Sequence, residues 1–336
     1  MKYKLFIAFL ILVSMIHSIK AQNQGHRIYG GADKAPEKNI NPSFEHTSRF
    51  IEIDGNKIHY YESGHGDPVI YLHGIPTWSY MWRNVVSDVN EGKRSIALDF
   101  LGYGKSDLPS DGDYSYIRQY KMFESFVEKM DLNNITLVVN DLGSAVGLDY
   151  AMKNEGKIKG IVLIEAAFMT PEEWYDQLTL LQKTMFKMMH KRKSAERFLV
   201  KMNMGGKKMV HMFTKRKLSS QEKEMYEMPF RDVARRYVLI DGPGPHTLPV
   251  KMISRKKGDF ADVMKGYAEK LKQTEVPMLL IYAKRGLINR KPAIEYAINN
   301  FRKLTLVYLG RGKHFLPEDH PKAISEAINT WYDQLK

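Results

Sequence analysis

Short apolar runs alternate with amphipathic stretches along most of this chain. Phe50–Ile53 and Lys57–Tyr61 flank Asp54-Gly55-Asn56, which predicts a β-hairpin around a glycine-containing turn. Further apolar runs at Pro68–Leu72, Ser95–Leu98, Ile135–Val139, Ile161–Ile164, Met278–Tyr282 and Leu304–Leu309 are too short for helices and read as strands. Between them, Ile117–Met130, Ala145–Lys153 and Ile288–Phe301 have helical spacing. Continuously apolar strands separated by helices form a parallel sheet covered on both faces, with the hairpin as its antiparallel edge. The expectation is an α/β fold with a mostly parallel, eight-stranded sheet.

From about Thr170 to Asp259 the alternation stops. This stretch is helical, rich in Met and Lys, and broken at Asp241-Gly242-Pro243-Gly244-Pro245. Such an insertion predicts a helical cap over the carboxyl ends of the strands, where open α/β sheets bind ligands. The expected division is a core of residues 49–169 and 260–336 with a cap of residues 170–259. Residues 22–48 lack periodicity and read as a linker.

The start of the chain is an address. Two lysines precede the apolar run Leu5–Ile16, and Ala21 ends the stretch with a small residue. That is the pattern of a secretory signal peptide over residues 1–21, so the protein is expected to be exported. The run is short against the roughly 20 residues that span a bilayer. An anchor through residues 5–16 is the alternative reading.

Composition narrows the chemistry. The chain has no cysteine, which excludes disulfides, thiolate catalysis and Cys-ligated metal centres. No metal-ligand run such as H-E-x-x-H occurs among the 11 histidines, and neither a metal nor a cofactor is expected. The net charge is +13, or +10 without residues 1–21, where three lysines stand with no acid. Residues 185–217 hold eleven Lys and Arg interleaved with Met and Phe. This reads either as a face for an anionic membrane or as a solvated surface over a Met-lined pocket. No nucleic-acid fold signature accompanies the charge, so no nucleic-acid partner is expected.

The strand Ile135–Val139 runs through Asn140 into Asp141-Leu142-Gly143-Ser144, with a small residue two places after Asp141. This is the geometry of a nucleophile elbow, but it carries a carboxylate where serine is usual. A carboxylate can displace a leaving group at sp³ carbon or open an epoxide, giving an enzyme ester. An N-cap role for Asp141 is the bland alternative. His314 follows the last strand, where a base that activates water belongs. Glu165 ends the strand Ile161–Ile164 and is placed to orient that imidazole. The N–H groups of Ile75, after His73-Gly74, and of Leu142 complete an oxyanion hole. His73 reads as structural, and Asp99–Asp107 as a tight turn.

These motifs resemble the haloalkane dehalogenase family of α/β-hydrolases over roughly Phe50 to Lys336. The matching segments are His73–Arg83, Asp99–Asp107, Val139–Gly147 and His314–Pro321. The resemblance implies the α/β-hydrolase fold with its cap, no cofactor, and a triad of Asp141, Glu165 and His314. Placing the acid at Glu165 is similar to the second dehalogenase subfamily. The other position, Ala283-Lys284-Arg285-Gly286-Leu287, has no carboxylate. The family holds the departing halide with Asn or Glu after His-Gly and Trp after the nucleophile, and those positions here are Ile75 and Leu142. Trp78, Trp174 and Tyr175 are candidate pocket residues.

Three functions follow from this reading. The first is a dehalogenase-like hydrolase acting with water on small apolar substrates, as a monomer. The second is an epoxide hydrolase, with Tyr175, Tyr226 and Tyr237 as candidate acids. The third is a protein that binds small ligands or lipids without turnover. Coelenterazine luciferases share the scaffold and match less well, since they keep the side chains missing here.

Overall fold

The computed structural model describes residues 27–29, 33–87, 92–243 and 260–335. The expected signal peptide or anchor lies outside the described residues. Among the described residues nine strands form one sheet: β1 (Arg27–Tyr29), β2 (Arg49–Ile53), β3 (Asn56–Gly64), β4 (Asp67–Leu72), β5 (Lys93–Leu98), β6 (Ile135–Asp141), β7 (Ile158–Ala166), β8 (Met278–Tyr282) and β9 (Leu304–Tyr308). Their spatial order is β1-β9-β8-β7-β6-β4-β5-β3-β2. The hairpin β2–β3 is the antiparallel edge, and the pairs from β5 through β4, β6, β7, β8 and β9 are parallel.

The eight expected strands are therefore present, and β1 adds a ninth by pairing with β9. That corrects the reading of residues 22–48 as a linker. Backbone groups in this segment also bind the core. The Glu37 N–H donates to the Asp319 carbonyl at 2.8 Å, and the Arg83 Nε donates to the Asn41 carbonyl at 3.0 Å. Such a strand is invisible to periodicity because three residues give no period to read.

The inner strands are apolar throughout because successive side chains enter two different cores. Ile135, Leu137 and Val139 of β6 join one cluster, while Val138 joins the other. Helices α1 (Tyr116–Lys129), α2 (Leu142–Lys153), α3 (Phe260–Leu271) and α4 (Lys291–Asn300) cover the first face; α5 (Pro321–Tyr332) covers the second. Helix α4 starts later than the predicted Ile288, because residues 287–289 turn their N–H groups to another partner described below.

The chain runs from β4 outward to β5 and then returns to place β6 on the other side of β4. This reversal opens a crevice at the carboxyl ends of β4 and β6, the usual ligand position in such sheets. Helices between Pro171 and Asp241 form the insertion between β7 and β8. A buried ionic cluster ties this insertion to the core. The Arg83 guanidinium donates to Glu318 at 2.5 Å and to Glu222 at 2.8 Å, and Arg216 pairs with both carboxylates. Removing one member would strand a buried charge.

Candidate active site

Asp141 stands where β6 turns into α2, with φ +47° and ψ −118°. Few non-glycine residues adopt this conformation, and strain of this kind collects at functional sites. The turn is tight enough to need glycine on both sides. A Cβ on Gly143 would sit 2.4 Å from the Leu72 carbonyl oxygen, and one on Gly74 would sit 2.4 Å from the Asp141 Cβ. Ser144 braces the turn by donating to the Asp141 carbonyl while accepting the Ala167 N–H at 2.8 Å.

The two carboxylate oxygens of Asp141 have different surroundings. Oδ1 accepts the N–H groups of Ile75 at 2.9 Å and Leu142 at 2.8 Å. Oδ2 lies 3.5 Å from His314 Nε2. The other imidazole nitrogen, Nδ1, is 3.0 Å from Glu165 Oε2. Asp141, His314 and Glu165, expected from three distant segments, are thus brought into one line, with both expected N–H donors beside Asp141.

Glu165 also has positive φ, +47°, and its side chain is fully buried. It accepts N–H groups from Leu287 at 2.7 Å, Ile288 at 2.9 Å and Asn289 at 3.3 Å. A Cβ on Gly286 would lie 2.1 Å from Glu165 Oε1. The loop after β8 therefore lacks an acid of its own and instead supplies the cradle for the acid of β7. The Asn289 side chain completes the clamp, exchanging two 2.8 Å hydrogen bonds with the Ala166 backbone. Sequence reading missed Gly286 and Asn289; their only signal was a glycine where an acid was being sought.

Burial acts against both charges of the Asp141–His314 pair, and their mutual contact overcomes it. Burial raises the Asp141 carboxyl, but His314 and the Ile75 and Leu142 N–H groups hold it below the usual carboxylate range. Burial likewise disfavours the imidazolium, yet Asp141 and Glu165 raise His314 to about 9. The imidazole of the resting site is thereby biased towards its protonated form beside Asp141. Glu165→Gln is expected to lower the His314 pKa. It also sets an amide among three N–H donors, costing about 1–3 kcal/mol of stability. Imidazole titration by NMR, paired with thermal unfolding, checks both; an unmoved His314 pKa would contradict the assigned contact.

His73 is structural. It is fully buried, its Nε2 accepts the Phe100 N–H at 3.0 Å, and burial lowers its pKa. The Asp99–Asp107 turn closes around Asp99, which accepts N–H groups of Ser79 at 2.7 Å and Lys105 at 2.8 Å.

A cavity of about 50 Å³ lies against Asp141, lined by Ile75, Leu142, Trp174, Met264 and Ile288 among others. Ile75 also borders a second cavity of about 230 Å³, whose walls include Met185, Met188, Met189, Met204, Met209 and Met212 with Phe198 and Phe213. The Met-rich segment thus encloses apolar space. Of the candidate pocket residues, Trp174 alone borders either cavity. Trp78 is fully buried in an aromatic cluster with Phe44 and Tyr80 and donates its indole N–H to the Met225 carbonyl at 3.1 Å. Tyr175 lies under the Lys183 ammonium, 4.8 Å from its ring. Tyr226 is committed to Glu318 within the buried ionic cluster. Tyr237 borders neither cavity.

Residues 67–330 match the family described as alpha/beta hydrolase fold. The haloalkane dehalogenase of Sphingobium indicum is 31% identical over 296 residues, covering 86% of this chain and 96% of that protein. That of Mesorhizobium japonicum is 30% identical over 305 residues, covering 90% and 93%. The chain belongs to the haloalkane dehalogenase family. Among solved structures, the haloalkane dehalogenase DatA of Agrobacterium tumefaciens superimposes with a TM-score of 0.77 at 25% identity, covering 86% of this chain and 97% of that one. This dehalogenase-family chain is accordingly an α/β-hydrolase with apolar residues at Ile75 and Leu142.

Proposed function

We propose that this hydrolase works through a covalent ester on Asp141. The observation that carries the reading is a carboxylate at the elbow with one oxygen between two N–H donors and the other beside a carboxylate-supported imidazole. With Oδ1 so held, Oδ2 is free to attack an sp³ carbon. The new C–O bond forms as the leaving group departs with its electron pair.

Attack consumes the Asp141 charge, one of the two that keep His314 protonated. The imidazole then falls towards its ordinary range, releases its proton to solvent as the reaction's net acid, and becomes a base. Alkylation itself prepares the second step. His314 Nε2 takes a proton from water, the oxygen attacks the Asp141 carbonyl carbon, and the Ile75 and Leu142 N–H groups stabilise the charge gathering on Oδ1. Collapse releases the alcohol and restores the carboxylate.

The substrate is small and apolar at its reacting end, since a cavity of about 50 Å³ bordered by Trp174 and aliphatic side chains faces Asp141. Trp174 supplies the one indole bordering the cavity, and we assign its edge to the leaving group. The epoxide reading has less support, because none of Tyr175, Tyr226 and Tyr237 borders the cavity over Asp141. We also read residues 1–21 as an export signal.

The covalent route predicts where the oxygen of water goes. Several turnovers of a bromoalkane in heavy-oxygen water should leave heavy oxygen in the Asp141 carboxylate, detectable in its proteolytic peptide. Alcohol formed with no label in that peptide would overturn the ester and replace it with direct attack by water.

A further inference from the structure

The helix Leu180–Met189 leaves apolar side chains in solvent. Leu180 and Leu181 are 82% and 79% exposed, although most large apolar side chains among the described residues are buried. Leu181, Met185 and Met188 recur at i, i+4 and i+7, so they form a single stripe on that helix. Met185 and Met188 also border the 230 Å³ cavity, as does Met212, which is 52% exposed. The Met185–Met188 end of the stripe therefore borders the cavity where it meets solvent, Leu181 extends the apolar surface beyond it, and no described part of the chain covers these side chains.

The charge along this segment is one-sided. Between Thr179 and Lys217 there are twelve Lys and Arg and a single acid, Glu196. Glu196 pairs with Arg192 at 3.0 Å, which removes it from the balance. Lys187, Lys191, Lys208, Lys215 and Lys217 are exposed and make no ion pair among the described residues. Along the sequence, Lys187 and Lys191 lie on the stripe's helix or just past its end, and Lys208, Lys215 and Lys217 lie within five residues of Met212. Exposed apolar side chains collared by unpaired cations fit an anionic lipid surface, where the side chains enter the acyl boundary and the ammonium groups meet the phosphates. A nucleic acid would satisfy the lysines and leave Leu180 and Leu181 in water.

We infer that the protein docks on anionic bilayers through Leu180, the Leu181–Met185–Met188 stripe and the lysines near them, with the mouth of the Met-lined cavity against the membrane. An apolar substrate dissolved in the bilayer then reaches Asp141 past Ile75 without crossing water. Docking is independent of the reaction proposed for Asp141.

Vesicle flotation tests it. The chain should float with vesicles containing about a quarter phosphatidylglycerol and stay with the aqueous phase when they are phosphatidylcholine alone. Each basic contact contributes roughly five-fold in partitioning, and salt near 1 M should release the protein. The variant Leu180→Ser/Leu181→Ser changes exposed side chains that border neither cavity, so the fold and turnover of a water-soluble bromoalkane should persist while flotation falls at least ten-fold. Lys187→Glu/Lys191→Glu should lower it as much. Flotation that ignores both variants, or retention on heparin with none on vesicles, overturns the proposal. If flotation behaves as expected and no bromoalkane turns over, the docking surface stands and the reading of Asp141 fails.

Discussion

His314→Ala is expected to stop the reaction halfway, with the substrate covalently attached to Asp141. The first step needs the carboxylate, its oxyanion hole and an sp³ carbon, none of which the substitution removes. The second needs a base 3.5 Å from Asp141, and water alone is a poor replacement. Loss of a positioned general base costs about 10²–10⁴ in rate, so the ester should outlive a mass measurement. Intact-mass analysis after a bromoalkane should show one alkyl group added; after an epoxide, a hydroxyalkyl group. The further change Asp141→Asn should abolish the adduct. Folding should survive, because Glu165 keeps its three N–H partners in the Leu287–Asn289 loop. Absence of adduct from either class, with ligands still bound, would remove Asp141 as nucleophile and favour a binding protein.

Asp141 and Glu165 stood out in the sequence because each sits at the end of a strand that its own apolar run announces, and His314 because it lies in the loop after the last such strand. Where a strand ends in such a sheet is where chemistry gathers, so a carboxylate before Leu142-Gly143 carries information that the same residue in a loop would lack. What surrounds them was not legible. The cradle for Glu165 is made of backbone N–H groups from a loop more than a hundred residues away, and main-chain donors leave no mark on residue type. Trp78 and Tyr226 show the converse. Both are large, polar-tipped aromatics that suited a pocket, but each was claimed by a long-range partner, the Met225 carbonyl and the Glu318 carboxylate. Composition announced apolar space through the methionines but not that its mouth would open beside exposed Leu180 and Leu181.

Ile75→Asn is expected to raise bromide release by about 10²-fold. The family's halide donor occupies this position, and the Ile75 N–H already lies 2.9 Å from Asp141, so the backbone is in the working geometry. What is missing is a side-chain N–H aimed at the charge that builds on the departing atom. Losing one such donor costs about 10²–10³ elsewhere, and regaining it should recover a similar factor when the position is already correct. Asn is smaller than Ile and Ile75 borders both cavities, so the change meets no steric barrier. It does place an amide in an apolar wall, costing about 1–3 kcal/mol of stability. Leu142→Trp is the other obvious restoration and should fail, since about 50 Å³ beside Leu142 leaves little room for an indole. Steady-state bromide release from a short bromoalkane decides the matter, with an epoxide of the same length as control. A gain confined to the bromoalkane means that transition-state charge on the halide limits the native protein. Equal or lower rates for both would mean that the leaving group this site accommodates is not a halide, and that Ile75 was selected for a substrate which departs without needing a donor there.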